Sequence, residues 1–424
     1  MLEKILNRRN IERALKAVER NKGAGGVDGL QSDELRPFLN SHLRYLSDKI
    51  LDGKYEPSPV RKVEIPKPSG GTRMLGIPTV TDRMIQQAIY QQLSPIYESE
   101  FSEYSFGFRP AKNAHQAVRT AQEYLNAGYI WIIELDLEKF FDKVSHQKLM
   151  HLLSAKVKDV KTLSLIRSYL RSGIMEGGLT SVRTEGTPQG SPLSPLLSNI
   201  MLHELDKELA KRGHKFVRFA DDCSIYVKSE RAAHRVVQGL IKYIENELLL
   251  KVNREKTKIS EPRDSYLLGF SFYQYNHRYH VRIHQKPVQR VKAKCKHLTR
   301  SSDPTPEHVT LAKLANVIRG WVNYFSLANA KKIMLTLDGL LYTRLRISAW
   351  RRWKVARNRI VQLQKLGASA HKAYMWGHSS KGACRLAHSP VLTQTLTQGY
   401  YTRLGHQGFF QSYVQRHDDA PFTF

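Results

Sequence analysis

Apolar residues recur at helical spacing through "MLEKILNRRNIERALKAVER" and again over residues 32–52, which predicts two helices. The glycine-rich "NKGAGGVDGL" between them breaks the pattern. Its glycines fit neither the dinucleotide nor the Walker phosphate-loop spacing. A loop that touches nucleic acid, with Gly25 and Gly26 at the contact, is a candidate reading beside that of a plain connection.

The period then drops to two. Val60, Lys62 and Glu64 alternate with Arg61, Val63 and Ile65, and "PSGG" supplies a turn, so "VRKVEIPKPSGGTRMLGIPTV" reads as a hairpin with Lys67 and Arg73 flanking its turn. "TDRMIQQAIYQQLSPIYE" returns to helical spacing, capped by Thr81 or Asp82. In "YIWIIELDLEKFFDKVSH" a strand places Ile130, Ile132, Glu134 and Asp136 on one face, and Trp131, Ile133, Leu135 and Leu137 on the other. The second face is core, and Asp136 ends the strand on the more polar face. Residues 146–172 read as helical, and another helix starts near Ser194, after "GTPQGSP".

"VRFADDCSIYVKS" sets two aspartates side by side between short apolar runs. Phe216–Phe219 and Ser224–Val227 are predicted strands, joined by a tight hairpin through residues 220–223 that presents Asp221 and Asp222 outward. The order β-α-β-β-α-β suggests an α+β palm on a mostly antiparallel sheet. Beyond residue 285, helices dominate at about 286–300, 306–328 and 331–362.

Charge sharpens the picture. The 67 Lys and Arg against 38 Asp and Glu leave a formal net charge of +29, which suits a polyanionic partner. A membrane surface is disfavoured: no apolar run of about 18 residues is present, and neither a lipidation motif nor a secretory apolar block is visible. Residues 281–424 hold 24 basic and 5 acidic residues, against 43 and 33 in residues 1–280. A composition boundary near residue 280 separates an enzyme-like part from a cationic clamp. Cys223, Cys295 and Cys384 form no C-x-x-C pair, so neither a zinc site, a disulfide framework nor a Cys/His nuclease domain is indicated, and a reducing cytoplasm is the expected setting.

Three aspartates near one another in a cationic protein point to divalent metal. Mg²⁺ prefers hard oxygen ligands, often one or two carboxylates with substrate phosphates, and two such ions can stabilise both oxygens of a phosphoryl displacement. Asp136, Asp221 and Asp222 can supply that site, whereas an isolated Asp-Asp pair would be an ordinary solvated turn. Lys67 and Arg73 can pair with a triphosphate, or simply be solvated. Phe140 or Phe141 can pack against a sugar or belong to the core. Gln189 in "TPQGSP" can reach a base or ribose edge.

Taken together, "NKGAGGVDG", "EIPKPSGGTRMLGIPTVTDRMIQQAI", "FSEYSFGFRPAKNAHQAV", "ELDLEKFFDKVSH", "EGTPQGSPLSPLLSNIMLHELD", "VRFADDCSIYVKS", "LKVNREKTKI", "YLLGFSF" and "IRGWVNYF" resemble, in order, the reverse transcriptases of mobile group II introns, most closely the compact class C type without an endonuclease. The resemblance implies a right-hand polymerase of α+β class: an N-terminal extension (1–58), fingers and palm with antiparallel sheet (59–283), an α-helical thumb and maturase domain (284–365) and a basic C-terminal DNA-binding segment (366–424). It implies two Mg²⁺ ions on Asp136, Asp221 and Asp222, with the Leu137 carbonyl as a further ligand. It suggests Lys67 and Arg73 for the dNTP triphosphate, Phe141 to exclude a ribose 2′-OH, and Gln189 beside the nascent pair. Arg109 of "GFRP" is expected to approach the template, and Arg351, Arg352 and Lys354 to meet nucleic acid.

The implied function is RNA-directed DNA synthesis with splicing and retrohoming assistance. The implied partners are intron RNA template, a DNA or RNA primer, target DNA and dNTPs, and the implied place is a bacterial cytoplasm, at the nucleoid. A splicing-only maturase is one alternative, though all three carboxylates persist. A cellular reverse transcriptase used in DNA repair is another, against which "IRGWVNYF" leans. Phe219 stands where the family's box usually carries Tyr, so a primer contact through that hydroxyl is absent. "PQGS" replaces a commoner double glycine, which is expected to restrict the turn at Ser191.

Overall fold

The computed structural model describes residues 1–66, 70–176, 179–181, 183–300 and 302–418. Two compact units follow one another, Met1–Ser265 and Tyr266–Phe424.

The first unit opens with helices α1 (Leu2–Leu6), α2 (Arg8–Asn21) and α3 (Leu35–Leu51). Ile11, Ala14, Leu15 and Val18 form the buried stripe of α2, at the spacing that puts residues on one helix face. The buried Asn10 donates through Nδ2 to the Ile5 and Ala88 carbonyls, fixing this helix against α4 (Val80–Glu98). Strands β1 (Val60–Pro66) and β2 (Thr72–Ile77) form the expected antiparallel hairpin. Thr79 caps α4, accepting from the Asp82 N–H at 3.1 Å, so the cap lies two residues before the earlier of the two expected. Asp82 is instead buried, accepting from Tyr55 Oη, Thr79 Oγ1 and the Ser58 N–H.

Helix α5 (Ala114–Asn126) starts with a capping box between Asn113 and Gln116. Strand β3 (Trp131–Leu135), the short α6 (Phe140–Lys143), α7 (His146–Lys156), α8 (Val160–Arg171), β4 (Ile174–Glu176), β5 (Leu179–Ser181), α9 (Ser194–Lys211), β6 (Lys215–Phe219), β7 (Asp222–Val227), α10 (Glu230–Asn246) and β8 (Lys258–Ser260) complete the unit. Two four-stranded sheets result. One has the order β6-β7-β3-β8 with every pair antiparallel, the β-α-β-β-α-β palm expected. The other, β2-β1-β4-β5, is mixed, because β1 and β4 run parallel; the expectation of antiparallel pairing in this region holds for its two hairpins only.

Ile133, Phe216 and Ile225 lie on one face of the first sheet and are fully buried. Removing each from water contributes roughly 1.5–3 kcal/mol. With α9 packed in the same core, that face anchors the sheet, and its strand ends are left to carry chemistry.

The second unit begins with hairpin β9 (Phe270–Tyr275) and β10 (Arg278–Ile283). Phe270 packs its ring 5.1 Å from Phe325 and 5.6 Å from Tyr324, so this hairpin belongs with the helices that follow, although the composition changes only near residue 280. Those helices are α11 (Gln285–Leu298), α12 (Glu307–Phe325), α13 (Lys331–Arg352), α14 (Ala356–Lys365), α15 (Ala370–Gly377), α16 (Ala383–Leu386), α17 (Pro390–Thr395), α18 (Gln398–Arg403) and α19 (Phe409–Asp418). The single helix expected over 331–362 is two, broken at Lys354, whose φ of +48° is left-handed. No described helix is long and apolar enough to cross a membrane.

Candidate active site

The hairpin tip is tighter than its sequence implied. Phe219 pairs with Asp222, so only Ala220 and Asp221 form the turn, and Asp222 is the first residue of β7. Ala220 carries the left-handed backbone that two-residue hairpins demand, with φ +59°. Register brings the third aspartate in. Leu135 pairs with Cys223, so the next position outward on each strand sets Asp136 across from Asp222. Asp136 and Asp222 then share the face that carries Glu134 and Ser224.

Proton affinities record the crowding. Asp222 is pushed up to about 6, first by desolvation from the surrounding protein, then by repulsion from Asp221 and Asp136, with Arg73 pulling the other way. Asp136 is raised too: desolvation leads, Lys256 opposes it and Asp221 adds to it. Lys256 Nζ stands 3.7 Å from Asp136 Oδ2. Reasoning from sequence missed this cation, which lies 120 positions along in "NREKTKI", a block with no internal sign of its strand partner.

The backbone after Asp136 is held by an isolated bridge. Leu137 bridges Val252 in antiparallel fashion, but the bridge's hydrogen bonds run from Asn253 N–H to the Asp136 carbonyl and from Glu138 N–H to the Lys251 carbonyl. Leu137's own carbonyl takes no part in them. Among the described residues no group of three or more His, Cys, Asp or Glu side chains is arranged to hold an ion unaided. Mg²⁺ ordinarily takes one or two carboxylates and completes its shell with water and substrate phosphates. A hard-oxygen set of mutually repelling carboxylates fits that role.

Beside this lies a cavity of about 550 Å³ that gathers Arg73 from β2, Phe141 from α6 and Gln189. The aspartates do not line it; Arg73 connects the two, since it also acts on Asp222. Phe141 is half-buried, its ring edge-on to the buried Phe140 at 5.3 Å, and its carbonyl accepts from Thr187 N–H at 2.6 Å. Gln189 is held through its carbonyl, which accepts from Gly76 N–H at 2.8 Å, leaving the side chain for the cavity. Gly190 takes the left-handed backbone of this loop at φ +109°, and Ser191 does not. Ser191 Oγ bonds Gln86, so the expected restriction at Ser191 does not arise. The cavity also holds Asn21 of α2 and Arg83 and Gln87 of α4, none of them expected from sequence.

Two expectations change, and a third falls outside the described residues. Arg109 does not face a template: its side chain is 5% exposed, pairs with Glu98 and donates to the Ser102 and Ser105 carbonyls. Its neighbour Phe108 is the exposed residue, left-handed at φ +57°, and lines the cavity. Gly25 and Gly26 are buried, not surface contacts. A Cβ on Gly26 would fall 2.6 Å from Thr79 Cα, so the glycine permits close packing on the start of α4. Lys67 lies outside the described residues.

In the second unit, Arg351 and Lys354 are exposed, whereas Arg352 donates to the Thr305 carbonyl at 3.0 Å. Arg344 and Arg346 likewise bond backbone carbonyls, of Thr299 and of Leu396 and Ala387. Trp350 is buried at 2% exposure, with Arg359 over its ring, and anchors its helix in the core.

Residues 65–288 match the protein family described as "Reverse transcriptase (RNA-dependent DNA polymerase)". Residues 288–367 match "Group II intron, maturase-specific domain". "Protein YkfC" of Escherichia coli (strain K12) is 34% identical over 287 residues, 58% of this chain and 75% of that protein. "Group II intron-encoded protein LtrA" of Lactococcus lactis subsp. cremoris is 37% identical over 240 residues, 56% of this chain and 39% of that protein.

Proposed function

The chain belongs to the reverse transcriptase family and carries a group II intron maturase-specific domain, and from this premise we propose that it copies RNA into DNA for a mobile group II intron and binds that intron's RNA to assist splicing and retrohoming. The observation that carries the chemistry is the cavity shared by Arg73, Phe141 and Gln189 beside the Asp136–Asp221–Asp222 group.

Asp136, Asp221 and Asp222, with the Leu137 carbonyl, would hold two Mg²⁺ ions, which supply charge neutralisation at the attacking and leaving oxygens. The chain's own residues do the positioning. Arg73 meets the triphosphate, where a guanidinium makes charge-assisted hydrogen bonds about twice as strong as neutral ones. Phe141 presses on the sugar edge where a 2′-OH would stand. Gln189 lies beside the nascent pair. The segments 1–58, 59–283, 284–365 and 366–424 act as N-terminal extension, fingers and palm, thumb, and DNA-binding end. Intron RNA, a DNA or RNA primer and target DNA are the macromolecular partners.

Phe141→Ala tests the assignment of the cavity. The ratio of kcat/KM for dNTP over rNTP is expected to fall by about tenfold or more, within the range a single packing contact supplies. An unchanged ratio would mean that Phe141 is core and the incoming sugar lies elsewhere.

A further inference from the structure

Behind the aspartate turn stands a charged side chain that none of the chemistry above uses. Arg218, in β6, is 0% exposed. Its Nε and Nη2 donate to Asp206 Oδ1 and Oδ2 at 2.7 and 2.6 Å, a bidentate pair. Its Nη1 donates to Asn199 Oδ1 and to the Ala220 carbonyl, both at 2.9 Å. Asn199 passes the link on, donating through Nδ2 to the Gly107 carbonyl at 2.9 Å. Asn199 and Asp206 are buried on one face of α9, seven residues apart. Arg218's backbone is fixed as well: its N–H donates to the Tyr104 carbonyl at 2.9 Å, and Phe106 N–H donates to its carbonyl at 2.8 Å.

The carbonyl that Arg218 grips belongs to the left-handed residue of the turn. A non-glycine residue in that region costs on the order of 1–3 kcal/mol and persists only where its surroundings over-determine it. Here they do so from two sides. The guanidinium holds the Ala220 carbonyl, and a Cβ on Gly107 would come 2.2 Å from Ala220 N, so residues 104–107 lie directly against the turn. Stability does not explain the charge. A buried ion pair is often no more stabilising than apolar residues of the same volume. An apolar pair, however, offers no donor to the Ala220 carbonyl.

We propose that Arg218 is a positioning residue: oriented by Asp206, it locks the Ala220–Asp221 turn, sets the aim of Asp221 and Asp222, and couples them to the 104–108 segment whose Phe108 lines the nucleotide cavity. The proposal rests on the reading of those aspartates as the metal-holding group.

Three variants divide the possibilities: Arg218→Lys, which keeps charge but not the forked geometry; Arg218→Met with Asp206→Leu, which replaces the pair by apolar volume; and Asn199→Ala, which removes the link to Gly107 and one acceptor of Arg218 but leaves the Asp206 pair and the Ala220 contact. Each is examined for thermal melting, for hydrogen exchange of residues 217–224 with α9 as internal reference, and for single-turnover dNTP addition as a function of Mg²⁺. In the double variant a cooperative melt is expected, with faster exchange at the turn, a rate about 10–100-fold lower, the loss typical of a small misplacement of reacting groups, a raised Mg²⁺ half-saturation, and primer–template Kd within twofold. A folded double variant whose turn exchange and Mg²⁺ half-saturation match the parent's overturns the proposal. Loss of the native melt in all three variants also overturns it, since the network would then be holding the whole unit. Faster exchange with an unchanged rate would keep the clamp and overturn the reading of the aspartates.

Discussion

Asp222 is desolvated by the surrounding protein and crowded by Asp221 and Asp136, and its proton affinity makes the site pH-dependent in one direction. Raised to about 6, its carboxyl is neutral below that pH in the metal-free protein. A bound proton must leave before the carboxylate can take a cation. Mg²⁺ half-saturation of primer extension is therefore expected to rise as pH falls through about 6, by up to about tenfold per pH unit for one linked proton. A half-saturation that stays flat across that range would mean that Asp222 is not a ligand. Lys256 belongs to the same balance, since its charge opposes the rise at Asp136. It was not legible beforehand, because a cation's partner across a sheet depends on register between distant segments.

Elements were legible where period and turn chemistry agreed. The 60–77 hairpin emerged from alternation beside a turn signal, and the 215–227 hairpin from two short apolar runs on either side of residues that turn the chain. Position along an element was less legible than its existence. Asp222 fell in the strand and not in the turn, a shift that puts it on the Asp136 face. "GFRP" shows a second limit. Nothing in its spacing says which residue faces inward, and the half-buried partner Glu98 belongs to the preceding helix. Arg109 was expected at a template and is instead a buried strut. Arg109→Ala should therefore cost about 1–3 kcal/mol by leaving the Ser102 and Ser105 carbonyls without their charged donor, seen as a lower urea midpoint. The salt dependence of RNA binding should stay unchanged. A reduced salt slope with unaltered stability would restore the template contact.

Across the whole chain, the excess charge is the property that sequence disclosed most directly and structure refined most. The basic run around residues 344–359 divides into arginines that tie helices to carbonyls and cations that remain exposed. Arg351 and Lys354 are exposed, so neutralising both is expected to lower the slope of log K for RNA against log salt by about one to two units. Single-nucleotide addition to a prebound primer should change little. An unaltered slope with collapsed chemistry would make this helix a support of the fold and not a contact surface.

The most direct measurement is primer extension on an RNA template with Mg²⁺ by the full chain and by Asp221→Asn, with RNA affinity measured on the same preparations. The parent should extend the primer, and the variant should lose about 10²–10³-fold or more in rate, as removal of a key electrostatic group does, while RNA affinity stays within about twofold, since a single carboxylate facing the cation site carries no phosphate contact to lose. A parent that binds RNA yet adds no nucleotide, or a variant that extends as the parent does, would contradict the account.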